Sequence, residues 1–288
     1  MSGIAYLNGQ WMALEEAKVS VEDRGFQFAD GVYEAIRTYG GRPFAVDRHL
    51  ARLSRSLDGI ELAWPVASEE LAGLIEEAAR RSPFSESFIY LQITRGVAPR
   101  RKEYPPGGAA TLVVTVRKLE MPPAEICERG ASIITVEDLR WGRCDLKTTQ
   151  LLPNLLAANR AYRAGAFEAA FIGPGGDVRE CCSANLFVVL GGEIRTPPRG
   201  PHILPGITRE LVLELAPAVG LRAGEYPLSR AELGQAEEVF LTGTSLGILP
   251  VTRVDGLPVG KGRPGPIALQ LAGQFEEQFV RRKDPQKS

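Results

Sequence analysis

The chain has 288 residues, 44% hydrophobic and 24% charged, with a formal net charge of -1. That is the balance of a folded globular protein with enough apolar chain to bury a sizeable core. It excludes a polybasic nucleic-acid binder and an acidic tail, and no run of about twenty apolar residues offers a membrane-spanning helix.

The opening MSGIAYLNGQ lacks the charged-then-apolar order of a signal peptide. Short strands then alternate with amphipathic helices. AYLNG and VYEAIRTYGG read as strands, with RPFAV following across the Gly40-Gly41 turn. Asp47 is the expected cap of a helix through DRHLARLSRSLDGI, with Leu50, Leu53 and Leu57 on one face. Ser68 opens a second helix, SEELAGLIEEAARR, and SFIYLQITRG and ATLVVTVRKL follow as strands. MPPAEICERG has two prolines and mixed polarity, which predicts a connector over 121–131 between a small N-terminal α/β domain (1–120) and a larger C-terminal domain (132–288).

The second half begins with a strand expected to run from ASIITV through DLRWGRCDLKT. A helix over PNLLAANRAYRAGA follows, then hairpins turning at GPGG and GG, and a helix starting near Ile207. EEVFLTGTS and ILPVTRVDGLPV read as strands, and IALQLAGQFEEQFVRRK as a closing helix. The fold class is therefore mixed α/β (α+β) in two domains.

Cys127, Cys144, Cys181 and Cys182 fit no zinc spacing and read as reduced thiols of a cytoplasmic protein. With two histidines and no carboxylate cluster, no metal site is expected. GTSLG matches the nucleophile-elbow pattern, but a strand rather than a helix follows it and both histidines lie upstream, so a serine hydrolase is set aside.

The chain holds seven lysines. Lys18, Lys118, Lys261, Lys283 and Lys287 sit among charges, at turns or in the tail, and Lys102 sits in the loop RRKEYPP. Lys147 lies near the end of the alternating run in which Leu139, Trp141, Arg143, Asp145 and Lys147 are expected to share a face. A desolvated lysine there could lose its proton and attack an aldehyde. On spacing alone, an ordinary edge lysine is the simpler reading.

Several segments occur in one order: VEDRGFQFADGVYEAIRTYGG, HLARL, IYLQITRGVAPR, DLRWGRCDLKT, RECCSANLF, LPGITRE and FLTGTS. Together, from about Tyr6 to about Gly260, they resemble the fold-type IV (class IV) family of pyridoxal-phosphate enzymes, and most closely its D-amino acid aminotransferases. The resemblance implies a two-domain fold with pyridoxal 5'-phosphate at the domain interface, a larger cofactor-binding domain, and a homodimer or higher homo-oligomer. It implies transamination between an amino acid and a 2-oxo acid such as 2-oxoglutarate or pyruvate. An L-branched-chain aminotransferase, or an aminodeoxychorismate lyase on the same fold, is the alternative.

By the same resemblance Lys147 is the Schiff-base lysine, and Glu180 pairs with the pyridine nitrogen. Arg52, Ile207, Thr208 and Thr244 hold the cofactor phosphate, the middle two at a helix N-terminus that offers free N–H groups to an anion. Tyr33, Arg100 and Lys102 face the substrate. Lys102 stands where the D-amino acid subgroup has a histidine, which replaces an imidazole by a point charge in the expected carboxylate trap. Cys181 and Cys182 replace the small residues expected after the acidic residue.

Overall fold

The computed structural model describes residues 3–281, so Lys283, Lys287 and the end of the expected closing helix lie outside the described residues. The chain divides into two units, Met1–Glu120 with Leu146–Leu151, and Met121–Asp145 with Leu152–Ser288.

The first unit contains β1 (Ile4–Leu7), β2 (Gln10–Ala13), α1 (Arg24–Phe28), β3 (Gly31–Tyr39), β4 (Arg42–Pro43), α2 (Val46–Gly59), α3 (Ser68–Arg81), β5 (Ser87–Thr94) and β6 (Thr111–Lys118). Its sheet runs β2-β1-β6-β5-β3-β4 and is antiparallel throughout. One face of this sheet is apolar and closed by α2 and α3: Val32 and Ile36 of β3 and Ile89, Leu91 and Ile93 of β5 pack against Leu53, Leu57, Leu71 and Ile75. Each such buried side chain contributes roughly 1.5–3 kcal/mol. The opposite face carries Tyr33, Ala35 and Arg37 of β3, all half-buried, as strand alternation requires.

The cap of helix α2 lies two residues earlier than expected. Ala45, with φ 52°, is its N-cap, and Asp47 lies inside the first turn, where a carboxylate still favours the positive helix end.

The second unit contains α4 (Ala124–Arg129), β7 (Ala131–Glu137), α5 (Leu152–Arg163), β8 (Glu168–Ile172), β9 (Val178–Cys181), β10 (Asn185–Leu190), β11 (Glu193–Thr196), α6 (Ile207–Ala218), β12 (Ala223–Glu225), α7 (Arg230–Gly234), β13 (Glu238–Gly243), β14 (Gly247–Val254), β15 (Leu257–Pro258) and α8 (Pro266–Phe275). The segment read as a connector thus holds a short helix. The sheet runs β12-β11-β10-β13-β14-β7-β8-β9, with β15 on β14, and mixes antiparallel pairs with parallel β7-β8, β7-β14 and β11-β12 pairs. Strands β8, β10 and β13 are near-continuous buried runs, as expected for strands covered on both faces. Phe187 and Phe240, opposite each other on β10 and β13, stack with centroids 4.9 Å apart. GTSLG is the β13-β14 hairpin turn, so Ser245 is no nucleophile elbow.

Candidate active site

The strand expected to run to Lys147 stops at Glu137. Asp138 ends it: its Oδ1 accepts the Arg140 N–H at 3.0 Å, a local turn that competes with the strand ladder. Leu139, Trp141, Arg143, Asp145 and Lys147 therefore do not share a sheet face. Arg143 and Asp145 instead pair with each other on the surface.

Lys147 belongs to the first unit, where both of its main-chain polar groups are held. Its N–H donates to Ser56 Oγ of α2 (3.0 Å), and its carbonyl accepts the Tyr33 N–H of β3 (2.9 Å). Thr148 forms an antiparallel bridge with Val32, and Thr149 donates its N–H to the Gly31 carbonyl (3.0 Å) and its hydroxyl to the Ala29 carbonyl (2.9 Å). The side chain runs over the open sheet face, with Nζ 4.3 Å from the Tyr33 ring centroid. Tyr33 is itself stacked on Tyr90 at 5.3 Å. Tyr90 donates its hydroxyl to Gln92 at 2.7 Å, and burial pushes that phenol up.

Alternation on β3 aims Glu34 into the apolar side of the sheet, where a carboxylate needs partners. Helix α2 supplies them. Arg52 donates from Nε and Nη2 at 2.8 Å to each of the two oxygens, and His49 Nδ1 lies 2.7 Å from Oε2. Burial would raise the Glu34 carboxyl, but the charges and hydrogen bonds of Arg52 and His49 outweigh it and hold it well below the usual carboxylate range. Burial pushes the His49 imidazole down, against the opposing pull of Glu34. Arg52, expected at a phosphate, is thus bound to Glu34.

Arg100 and Lys102 are exposed. The Arg100 guanidinium lies 4.5 Å from the Phe28 ring centroid and donates to the Gln27 carbonyl at 3.2 Å. Among the described residues neither is hydrogen-bonded to Lys147 or Tyr33.

In the second unit, Glu180 at the end of β9 is buried and accepts three donors: Arg140 Nη1 at 2.5 Å, Asn185 Nδ2 at 3.0 Å and the Leu204 N–H at 3.0 Å. Three donors on one carboxylate fix its orientation. Arg140 is gripped in turn by Asp138, which also pairs with Arg179 at 2.7 Å. Burial would raise the Asp138 carboxyl, but hydrogen bonds from Arg140 and Arg179 hold it down. The result is a buried row of alternating charge ending on Glu180.

Asn185 also donates to the Leu204 carbonyl (2.9 Å), pinning the turn that leads into α6. At that helix the N-cap is Gly206, with no side-chain cap, and Ile207 and Thr208 are buried in the first turn. A Cβ on Gly206 would lie 2.0 Å from Asn185 Oδ1, so only glycine lets the turn approach this closely. Thr242, across from Asn185 in the β10-β13 register, has a buried hydroxyl without a protein partner. Thr244 lies two residues on, in the β13-β14 turn.

Sequence reasoning had singled out Glu180, Ile207, Thr208 and Thr244 but not Arg140 or Asn185, which hold Glu180. Nor had it found Glu34 and Ser56. Their signal was available in HLARLSRS, where His49, Arg52 and Ser56 recur at helical spacing beside the leucine stripe.

The model for amino-transferase class IV matches residues 31–254. A D-alanine aminotransferase of Listeria monocytogenes serotype 1/2a (strain 10403S) is 38% identical over 277 residues, covering 96% of each chain. The crystal structure of the Escherichia coli branched-chain amino acid aminotransferase superposes with a TM-score of 0.91 at 28% identity, over 100% of this chain and 98% of that one. A branched-chain amino acid aminotransferase from T.th., solved with pyridoxamine 5'-phosphate, superposes with a TM-score of 0.90 at 30% identity, over 98% and 96%. The matched residues span most of the chain and include the Lys147 and Glu180 arrangements, and the chain belongs to the class IV aminotransferases.

Proposed function

We propose that this aminotransferase moves an amino group from a D-amino acid, D-alanine foremost, to a 2-oxo acid such as 2-oxoglutarate or pyruvate. The observation that carries this reading is the 38% identity to a D-alanine aminotransferase along nearly the whole length of both chains. The cofactor is pyridoxal 5'-phosphate, as for its class, which when bound supplies an electron sink conjugated to the substrate Cα. The residues fit such a group: a half-buried lysine amine over an aromatic ring, a carboxylate saturated with donors, and an uncapped helix N-terminus near a buried threonine hydroxyl without a partner.

Lys147 is the residue proposed to hold the cofactor covalently and, once freed by the amino donor, to take the proton from the substrate Cα at Nζ. It must act as the neutral amine. Glu180 is proposed to keep a proton on the pyridine nitrogen, and its three donors fix the carboxylate for that task. Ile207, Thr208 and Thr244 are assigned to the phosphate, with the positive end of α6 favouring the anion. Arg52 is assigned there as well, its charge already countered by Glu34. Tyr33 floors the lysine amine on the substrate side, and Arg100 and Lys102 supply positive charge for a carboxylate.

The branched-chain aminotransferase structures favour a second reading, an L-amino acid donor with a branched side chain. Loading the purified protein with pyridoxal phosphate and adding D-alanine, D-glutamate and L-leucine in turn decides between them. Loss of the cofactor's visible absorbance with the D-amino acids alone is the expected result, and loss with L-leucine alone would overturn it. Lys147→Ala should abolish turnover and leave no cofactor covalently attached.

A homodimer is part of the proposal. Leu152, Leu155 and Leu156 of α5 are 67%, 62% and 55% exposed, an apolar row of the kind that associates in solution. A cytoplasmic setting is proposed from the four free cysteines. Among the described residues no helix is long and apolar enough to cross a membrane.

A further inference from the structure

Lys147 sits in irregular chain, yet its two ends are held separately. Tyr33 lies beneath Nζ, and the main chain is anchored between β3 and α2. The β3 anchor uses backbone groups that many sequences could supply. The α2 anchor depends on one side chain, Ser56. Its hydroxyl donates to the Arg52 carbonyl one turn back at 3.1 Å, which directs the proton along the helix and leaves the oxygen's lone pairs for the Lys147 N–H. A serine bonded only to its own helix would be a local feature of little consequence. This one spends its acceptor on a segment far away in sequence.

The neighbouring residues tighten the same joint. Leu146 packs over Gly59, where an added Cβ would fall 2.5 Å from a Leu146 methyl. The guanidinium of Arg52 grips Glu34, the residue next to Tyr33 on β3. Helix α2 and strand β3 are therefore linked twice, by the Arg52–Glu34 ion pair and through the two main-chain bonds of Lys147.

We propose that Ser56 is the positioning residue for Lys147, fixing the main-chain root of the side chain so that Nζ is held where it meets the cofactor aldehyde and the substrate Cα. This rests on the reading of Lys147 as the cofactor lysine. The Ser56 hydroxyl is bonded to the Arg52 carbonyl and the Lys147 N–H, so its role is to act through Lys147. A small misplacement of a reacting group lowers rates steeply, and loss of the anchor should slow Lys147 chemistry about ten-fold.

The test mixes full-length protein with pyridoxal phosphate, quenches with borohydride at set times, and reads the cofactor fixed on the Lys147 peptide by mass spectrometry. Steady-state kcat and KM and the melting temperature are measured on the same preparations. Ser56→Ala should capture the cofactor about ten-fold more slowly and lose kcat in proportion, with KM for the oxo acid little changed. Ser56→Thr, which keeps the hydroxyl, should restore both. Leu53→Ala, which removes core packing from the same helix, should lower the melting temperature and capture at the wild-type rate. Capture by Ser56→Ala at the wild-type rate would overturn the proposal, as would an equal slowing in Leu53→Ala. If Ser56→Ala is not recovered folded, Ser56→Cys, a weaker acceptor of similar size, takes its place: intermediate capture supports the proposal and wild-type capture overturns it. Absence of cofactor on the Lys147 peptide of the unaltered protein would sink the parent reading instead, and is distinguishable from every outcome above.

Discussion

Asn185 and Glu180 are joined at 3.0 Å, and the same Asn185 nitrogen reaches the Leu204 carbonyl at 2.9 Å. One amide group thus ties the buried carboxylate to the turn that opens α6. The proposed ring-nitrogen partner and the proposed phosphate cradle share this fastening, beside the direct bond from the Leu204 N–H to Glu180. Asn185→Ala would leave a Glu180 lone pair and the Leu204 carbonyl without that donor, a loss of about 1–3 kcal/mol in unfolding free energy. Urea denaturation measures it. Cofactor affinity, from equilibrium dialysis with pyridoxal phosphate, should weaken in the same variant.

Gly206→Ala tests this fastening from the other side. The glycine has an ordinary φ of -67°, so alanine costs nothing in backbone strain. The added Cβ would lie 2.0 Å from Asn185 Oδ1, and Asn185 is not free to swing because its Nδ2 is committed twice. The variant should therefore lose stability comparable to Asn185→Ala. In the double variant the two losses should fall well short of additive, since the shared contact can be lost only once.

Stability toward acid follows from the Glu34 cluster. The folded-state pKa of His49 is depressed below 6.5, so below that pH the unfolded chain binds a proton that the folded chain refuses, and stability falls. The folded-state pKa of Glu34 is depressed below 4.5, so its contribution is present above pH 4.5 and is lost as pH drops further. Urea midpoints should therefore decline from pH 7 to pH 5 with a slope that His49→Gln reduces. A second, steeper decline should begin below about pH 4.5, the unfolded-state range of Glu34. A midpoint constant from pH 7 to pH 4 would show that this cluster does not govern acid stability.

How far such features could be read from sequence depended on whether they were local. The stripe Leu50, Leu53 and Leu57 is periodic within one helix, and α2 forms around it with only its cap displaced from Asp47 to Ala45. Glu34 was legible in principle, because alternation with Val32 and Ile36 aims it at the core, and a buried carboxylate calls for cations. The placement of Lys147 was not legible. Its expected strand depended on alternation continuing past Glu137, whereas Asp138 turned the chain by binding the Arg140 N–H. The bonds that then capture Lys147 come from Tyr33 and Ser56, which no local pattern connects to it. The resemblance named Lys147, Glu180 and Arg52 as single residues. It did not say that Arg52 is gripped by Glu34, nor that Arg140 and Asn185 hold Glu180, because those pairings arise only when strands and turns distant in sequence are brought together.

The thiols give the last prediction. Burial pushes Cys182 up to about 12 and Cys144 up to about 11, and carries Cys181 well above the ordinary thiol range. The nearby Glu168 carboxylate adds to the effect on Cys181 and Cys182. Cys127 is exposed, with its Sγ 3.6 Å from the Pro122 carbonyl. Since the thiolate is the reactive form, alkylation by iodoacetamide near neutral pH should reach Cys127 first. Cys181 and Cys182 should lag by on the order of 100-fold or more, because burial both suppresses the thiolate and blocks access. Peptide mass spectrometry over a time course reads the order directly. Rapid labelling of Cys182 in folded protein would mean that the turn between β9 and β10, which Glu168 holds through the Cys182 N–H and the Ser183 hydroxyl, opens readily. Slow labelling would leave that turn closed, with both thiols acting as packing beside Glu180.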